Sequence, residues 1–267
     1  MLNFLQVKSD LPAISPEVVF SVGDFPVSSS VLLGFAILMA IAVFCFVCVK
    51  KYFSIKPGSG QTFVEILYEG MIDMITQITA SRSMSEKMLP LIGSLFIFIG
   101  ISNLIELIPG LGSITFGGKA IFRAPTSDFN TTFALAFAMI LVIQAASIKS
   151  WGLFGYFGKY FQFKEIFTGF RKNTGEGMMS IINFLIGLMD IISEVAKVIS
   201  LSFRLFGNIY AGQVMAVIIM SALAYALPAV WSSLGILFGV VQAIVFGSLI
   251  AAYYMIALKP QEESEGK

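Results

Sequence analysis

The amino-acid sequence predicts an all-α integral membrane protein with about five transmembrane crossings. Of its 267 residues, 57% are hydrophobic and only 12% are charged, whereas soluble domains carry about a quarter charged residues. The mean hydropathy is +0.88, and the apolar runs are long enough to cross about 30 Å of hydrocarbon. The formal net charge is only +1, which argues against a protein that binds nucleic acids or other polyanions.

Five apolar runs account for the predicted crossings. They cover residues 31–49, 88–108, about 129–148, about 176–226 and 231–258. Pro228 separates the last two runs. Residues 62–87 are different, because charged side chains recur among Ile, Leu and Met. Such a segment is expected to form an amphipathic helix that lies along the membrane surface or on a partner.

Lysines and arginines concentrate on one side of the predicted spans. This side would hold Lys50, Lys51, Lys56, the segment 149–172 and Lys259. By the positive-inside rule, the N-terminus lies outside and the C-terminus lies in the cytoplasm or its equivalent. We therefore expect an extracytoplasmic segment 1–27, a single polytopic helical membrane domain 28–258 and a polar cytoplasmic tail 259–267.

Residues suited to metal or redox chemistry are scarce. The chain has no histidine, which removes the commonest proton shuttle and the commonest metal ligand. Cys45 and Cys48 share one apolar helix, but no second cysteine pair or acidic partner lies near them in the sequence. We interpret them as inert thiols, and no metal or cofactor is predicted.

One residue is out of place in the long apolar stretch near the C-terminus. Arg204 is the only charged residue between Lys197 and Lys259. A membrane-embedded arginine costs about 2.5–3.5 kcal/mol on insertion scales, so it is expected to have a partner or a function. The alternative is that its side chain snorkels to an interface.

Arg204 continues a polar stripe on its predicted helix. At about 100° per residue, the charged residues from Asp190 to Arg204 fall within an arc of about 80°, and the opposite side is apolar. A helix that skirts a cytoplasmic loop would also explain Asp190, Glu194 and Lys197. It would not explain Arg204, because Glu194, the nearest acid along the helix, lies about 15 Å away at about 1.5 Å per residue. The missing anion is therefore expected on another subunit.

The last predicted helix carries small residues at every fourth position, which allows two helix backbones to approach closely. These residues are Gly235, Gly239, Ala243 and Gly247. Gln242 lies beside this ladder and is one of few polar groups available to contact Arg204. A glutamine orients a guanidinium but does not neutralise it.

Four segments of the chain resemble one known family. They are "SLSFRLFGNIYAG" (200–212), "MLPLIGSLFIFIGISNLIELIPG" (88–110), "APTSDFNTT" (124–132) and "VVQAIVF" (240–246). Together they resemble subunit a of F-type ATP synthases, the membrane stator subunit beside the rotating c-ring. The resemblance covers roughly residues 15–258, and the segment that contains the arginine is highly specific.

The resemblance implies a proton path in two offset half-channels. The family's arginine, matched by Arg204, faces a carboxylate of each c subunit, removes its proton and blocks a direct leak between the half-channels. A guanidinium suits this role because it stays protonated at any working pH. Asn208 and Gln242 match positions that line the same interface. Asp190 matches an acidic half-channel residue, and Glu194 is a second candidate for that role.

The resemblance also suggests residues for the outer half-channel and for the contact with the ring. The outer half-channel candidates are Asp128, Asn103 and Glu106. The residues expected to pack against the c-ring are Gly207, Ala211, Gly235 and Gly239, within a long tilted hairpin of about residues 176–258.

The chain departs from many relatives at two positions. Gln213 stands where many have an acid, and Gly235 stands where many have a histidine or an acid. Water together with Glu106, Asp128 or similar groups would therefore have to serve the outer half-channel.

The expected function is that of a non-catalytic stator subunit that couples proton translocation to ATP synthesis or hydrolysis. The expected partners are the c-ring, the peripheral-stalk subunit b, the remaining ATP synthase subunits and the lipid bilayer. A bacterial plasma membrane is favoured over an organellar inner membrane because no targeting segment is evident. A secondary transporter, which would need an internal counter-charge and usually repeats, and a purely structural scaffold are the alternatives. The sequence leaves the choice between H⁺ and Na⁺ open.

Overall fold

The computed structural model describes residues 18–22, 24–51, 58–108, 114–116, 119–160, 174–222 and 227–258. Within these ranges the chain is almost entirely helical, and the predicted all-α class is confirmed. The helices are α1 (Ser29–Lys51), α2 (Ser59–Thr79), α3 (Arg82–Glu106), α4 (Phe129–Tyr160), α5 (Thr174–Ala222) and α6 (Leu227–Leu258). Most of the predicted segment 1–27 and the whole tail 259–267 lie outside the described residues.

Four of the described helices are long and apolar enough to cross a membrane. The candidate spans are Ser29–Val47, Arg82–Glu106, Phe129–Gly158 and Val230–Leu258. The fifth predicted crossing belongs to α5, which is not among these four and which carries the charged stripe; its crossing stays a prediction. Pro228 lies in the first turn of α6, where its missing N–H breaks no helical hydrogen bond.

The predicted surface helix over residues 62–87 is two separate elements. Helix α2 ends at Thr79, and Ala80 is left-handed with φ 55° while its N–H donates to the carbonyl of Thr76 at 2.8 Å. The hydroxyl of Ser85, in the first turn of α3, lies 2.9 Å from that of Thr76 and 2.8 Å from that of Thr79. The sequence does not signal this reversal, because glycine rather than alanine usually supplies the left-handed residue that ends a helix.

Two short β-hairpins accompany the helices. Strands β1 (Val18–Val22) and β2 (Phe25–Ser28) pair antiparallel immediately before α1. Strands β3 (Thr115–Phe116) and β4 (Lys119–Ala120) pair in the same way before α4. Strands of two residues are too short for an alternating pattern to reveal them.

The chain divides into two compact units. The first contains residues 1–132 and 203–251, and the second contains residues 133–202 and 252–267. In the first unit α3 packs against α2 and α6, and the fully buried side chains of this core include Ile72, Ile75, Ile92, Ile99, Phe246 and Ile250.

In the second unit, α4 is anchored to the end of α6. The hydroxyl of Ser147 and the indole N–H of Trp151 donate to the carbonyl of Ala257 at 3.4 and 3.3 Å. Gly152 has φ 70° and ψ 159° and marks a kink inside α4. Glycine tolerates this conformation without the steric cost that a Cβ would add.

Candidate functional site

The glycine ladder of α6 packs against α3 of the same chain. A Cβ added at Gly235 would lie 2.6 Å from Cδ2 of Leu107, and one added at Gly239 would lie 3.2 Å from the Cβ of Asn103. Gly239 is buried in this contact. The sequence indicates a close helix contact, and in the structure α3 is the neighbour of Gly235 and Gly239; their packing against a c-ring stays a prediction.

The same contact orients a buried amide. Asn103 is 1% exposed, and its Nδ2 donates to the carbonyl of Gly239 at 3.1 Å. Its Oδ1 is buried without a hydrogen-bond partner in the described part of the protein.

A cavity of about 710 Å³ opens at the end of α3. Its polar lining residues include Asn103, Glu106, Arg123, Asn208 and Gln213. The carboxylate of Glu106 accepts a hydrogen bond from Nε2 of Gln213. The backbone N–H of Ala124 also donates to this carboxylate, and the guanidinium of Arg123 attracts it.

A pair of amide side chains connects α5 to α6. Nδ2 of Asn208 lies 3.5 Å from Oε1 of Gln242, at the outer limit of a hydrogen bond. Gln242 is 7% exposed, and its own Nε2 is buried with no partner among the described residues. The structure thus brings together the two amides that the sequence analysis assigned to one interface.

Arg204 lies on an exposed face of α5. No side chain in the described ranges forms a hydrogen bond or an ion pair with it. Its neighbour Phe203 and the nearby Phe206 pack on the ring of Phe129, with centroids 5.0 and 5.7 Å apart. These aromatic contacts hold the helix in place while the guanidinium remains on the surface.

The surface around Arg204 forms a continuous stripe along α5, spaced by three or four residues. Its exposed members are Arg204, Asn208, Ala211, Met215 and Ile218. A Cβ added at Gly207, beside the stripe, would meet no atom within 4 Å. One cation therefore stands on a narrow face of mostly small or apolar side chains.

Asp128 has a structural role that the sequence analysis missed. It caps the N-terminus of α4, where its carboxylate accepts hydrogen bonds from the backbone N–H of Asn130 at 3.0 Å and the hydroxyl of Thr131 at 3.2 Å. The hydroxyl of Ser30, at the start of α1, donates to it at 2.6 Å. Asp128 is 2% exposed and does not line the cavity. The segment "SDFN" carries this signal, because Asp is a preferred N-cap residue.

In the second unit, Glu194 is paired with Lys197. The Lys197 Nζ donates to Oε1 of Glu194 at 2.6 Å, and both side chains are mostly buried. The same ammonium lies 5.1 Å from the centroid of the Tyr253 ring, within the range of a cation–π interaction. Glu194 is therefore committed to a partner, which the sequence analysis did not foresee.

Asp190 has a different environment. It makes no ion pair with the described residues, and it lies near the phenol of Tyr160. The pKa of Tyr160 is raised by burial, by its hydrogen bond with Tyr156 and by the nearby carboxylates of Glu194 and Asp190. Tyr160 therefore stays protonated and can donate a hydrogen bond to this cluster, but it does not act as a base.

Sequence comparison identifies the family. The sequence profile described as ATP synthase A chain matches residues 31–255. The chain belongs to the ATP synthase A chain family. The resemblance drawn from the four segments is thereby confirmed, and the match indicates subunit a of the membrane F0 sector, which takes part in ATP synthesis and proton transport.

Several relatives in this family match most of the chain. ATP synthase subunit a 2 of Picosynechococcus sp. is 29% identical over 255 residues, which covers 94% of this chain and 96% of the relative. ATP synthase subunit a of Desulforamulus reducens is 31% identical and covers 80% and 72%. ATP synthase subunit a of Moorella thermoacetica is 30% identical and covers 90% and 95%.

Within this ATP synthase subunit, the predicted site residues fall into three groups. Asn103 and Glu106 line the cavity together with Asn208, whereas Asp128 lies outside it. Arg204 stands on the exposed stripe. Asp190 and Glu194 belong to the separate cluster of the second unit.

Three polar residues of this family member were missed as site components. Gln213 was noted only as a departure from relatives, and Lys197 only as part of the stripe. Tyr160 follows the predicted third span in a segment rich in aromatic and basic residues, where no periodic pattern singles it out.

Proposed function

We propose that the chain forms the stator side of two proton half-channels beside a rotating c-ring and couples proton translocation to ATP synthesis or hydrolysis. It has no catalytic group of its own for ATP chemistry in this proposal. Its partners are the c-ring, the stalk subunit b and the remaining ATP synthase subunits, in a bacterial plasma membrane.

The environment of Arg204 carries this proposal. A guanidinium on an apolar face is costly unless an anion meets it, and the described residues supply none. A carboxylate on a ring subunit fits the stripe, because Ala211 and Gly207 leave room for a neighbouring helix to approach. The permanently charged guanidinium favours the ionised form of that carboxylate, so a proton leaves each arriving site and cannot pass the arginine.

The cavity near Glu106 supports an outer half-channel. It combines one carboxylate with the amides of Asn103, Asn208 and Gln213, which can hold water without exchanging protons themselves. The carboxylate is the titratable group among these four side chains, so it is the one that can accept and release a proton.

The cluster around Asp190 supports an inner half-channel. Because Lys197 already pairs with Glu194 at 2.6 Å, Asp190 is the acid left available for exchange with the cytoplasm. Tyr160 supplies a hydrogen-bond donor beside it.

The experiment replaces Arg204 by alanine in the intact ATP synthase in inverted membrane vesicles. ATP-driven proton pumping, followed with a pH-sensitive dye, should be abolished, while ATP hydrolysis by the detached catalytic sector should persist. Arg82→Ala is the matched control, because Arg82 is an exposed arginine bound to Glu69 at 2.9 Å. Coupled pumping at a normal rate in Arg204→Ala would reject the proposal.

A second experiment tests the ring contact. Cysteine at Ala211 should crosslink to a cysteine placed beside the carboxylate of a ring subunit, whereas cysteine at the buried Ala243 should not. The absence of crosslinks at Ala211 in an assembled complex would remove the stripe from the interface.

A further inference from the structure

The hydrogen bond between Gln213 and Glu106 joins two helices at the cavity wall. Glu106 closes α3, and Gln213 lies in α5 about 180° around the helix from Arg204 at about 100° per residue. Gln213 shares the cavity with Asn208, Ala211 and Met215, which also belong to the exposed stripe. Oε1 of Gln213 is buried without a partner in the described part of the chain, so the amide is fixed by its donor side.

Neighbouring contacts hold this pair in register. The indole N–H of Trp231 on α6 donates to the carbonyl of Gly212 at 3.1 Å, one residue from Gln213. Leu107, next to Glu106, meets the bare backbone of Gly235. Three helices thus converge where the carboxylate and the amide meet.

We propose that Gln213 is the positioning residue for the Glu106 carboxylate, and that the cavity requires one carboxyl group at this α3–α5 contact regardless of which helix supplies it. This inference rests on the proposed function of the cavity as a half-channel. Gln213 holds Oε1 of Glu106 by an N–H that cannot itself take up the proton. The carboxylate also accepts the backbone N–H of Ala124 and lines the cavity.

The isosteric relation of Gln and Glu makes the idea testable by exchange. In the double variant Glu106→Gln/Gln213→Glu, an amide on α3 faces a carboxylate on α5, so the same two groups meet at the same point. Arg123 attracts a carboxylate at this end of the cavity and is left unchanged in every variant.

The test measures ATP-driven proton pumping by the whole ATP synthase in inverted vesicles. Glu106→Gln should lower the rate by about a hundredfold, the lower end of the range for loss of an acid–base group. Gln213→Ala should lower it by about tenfold, as expected for loss of a hydrogen bond to a charged group. The double variant should recover to within about tenfold of the unchanged protein. If the bond were merely structural, Glu106→Gln would lose little pumping, because the two facing amides can still form a hydrogen bond.

Assembly is checked by co-purification with the ring and by ATP hydrolysis of the detached catalytic sector. In assembled complexes, pumping by Gln213→Ala at the unchanged rate, or a double variant as inactive as Glu106→Gln, would overturn the inference. The variant Arg204→Ala distinguishes a failure of the proposed function from a failure of this inference alone. If it pumps normally, the proposed function fails; if it is inactive while Glu106→Gln pumps normally, only this inference fails.

Discussion

Replacing Gly239 by alanine tests how tightly α6 packs against α3. The new Cβ would lie 3.2 Å from the Cβ of Asn103, an atom fixed to its own helix backbone that cannot swing aside. Alanine gains up to about 1 kcal/mol over glycine in a helix interior, whereas overpacking costs about 1–3 kcal/mol. We expect a net loss of about 1 kcal/mol, with displacement of the 3.1 Å bond from Asn103 to the Gly239 carbonyl.

Gly100 is the matched control for this substitution, because it lies on the same helix contact. A Cβ there would lie 3.9 Å from the Cβ of Ala243, which is ordinary van der Waals contact. Gly100→Ala should therefore keep its helix-propensity gain of up to about 1 kcal/mol.

Thermal unfolding of the purified complex in detergent compares the two variants. The transition temperature of this subunit should fall for Gly239→Ala by about 2–4 °C per kcal/mol and should stay level or rise for Gly100→Ala. An equal shift in both variants would refute the reasoning. If Gly239→Ala instead lost the c-ring during purification while its transition temperature stayed unchanged, the result would support the contact between this glycine and the c-ring that the sequence predicts.

Two further predictions concern the acids of the two units. Asp190→Asn should stop ATP-driven pumping, whereas Glu194→Gln should slow it less, because Glu194 is already committed to Lys197; the reverse order would show that Glu194 carries the exchange. Asp128→Ala should destabilise the subunit by about 2 kcal/mol, because it removes an N-cap and leaves a buried hydroxyl without its acceptor, yet pumping per folded complex should be preserved. Loss of pumping at an unchanged transition temperature would instead place Asp128 in the proton path.

The sequence predicts the helical class and most of the apolar helices because long uninterrupted hydrophobic runs admit few other structures. It also singles out Arg204, since a lone charge in such a run stands out without any knowledge of the fold. Helix ends are less accessible. The reversal at Ala80 depends on hydroxyl contacts between α2 and α3. No glycine occurs at this position to indicate in the sequence that the helix ends there.

The site is less predictable because it depends on which faces meet. Small residues at every fourth position show that another helix packs closely against α6. The pattern does not identify that helix, which can be α3 of the same chain, where Asn103 lies, or a helix of another subunit. The pairing of Glu106 with Gln213 joins positions far apart in the sequence. The pairing of Glu194 with Lys197 is local, and helical spacing permits it, but burial is what turns a surface pair into a committed one.

The absence of a described partner for the Arg204 guanidinium has a consequence for the number of protons moved per revolution. In the proposed function, a guanidinium that no described residue fixes would interact in the same way with every carboxylate that passes, however many of them the rotor carries. In the proposed function, the count of protons moved per revolution is therefore a property of the rotor. The same chain would therefore work with rotors that carry different numbers of carboxylates.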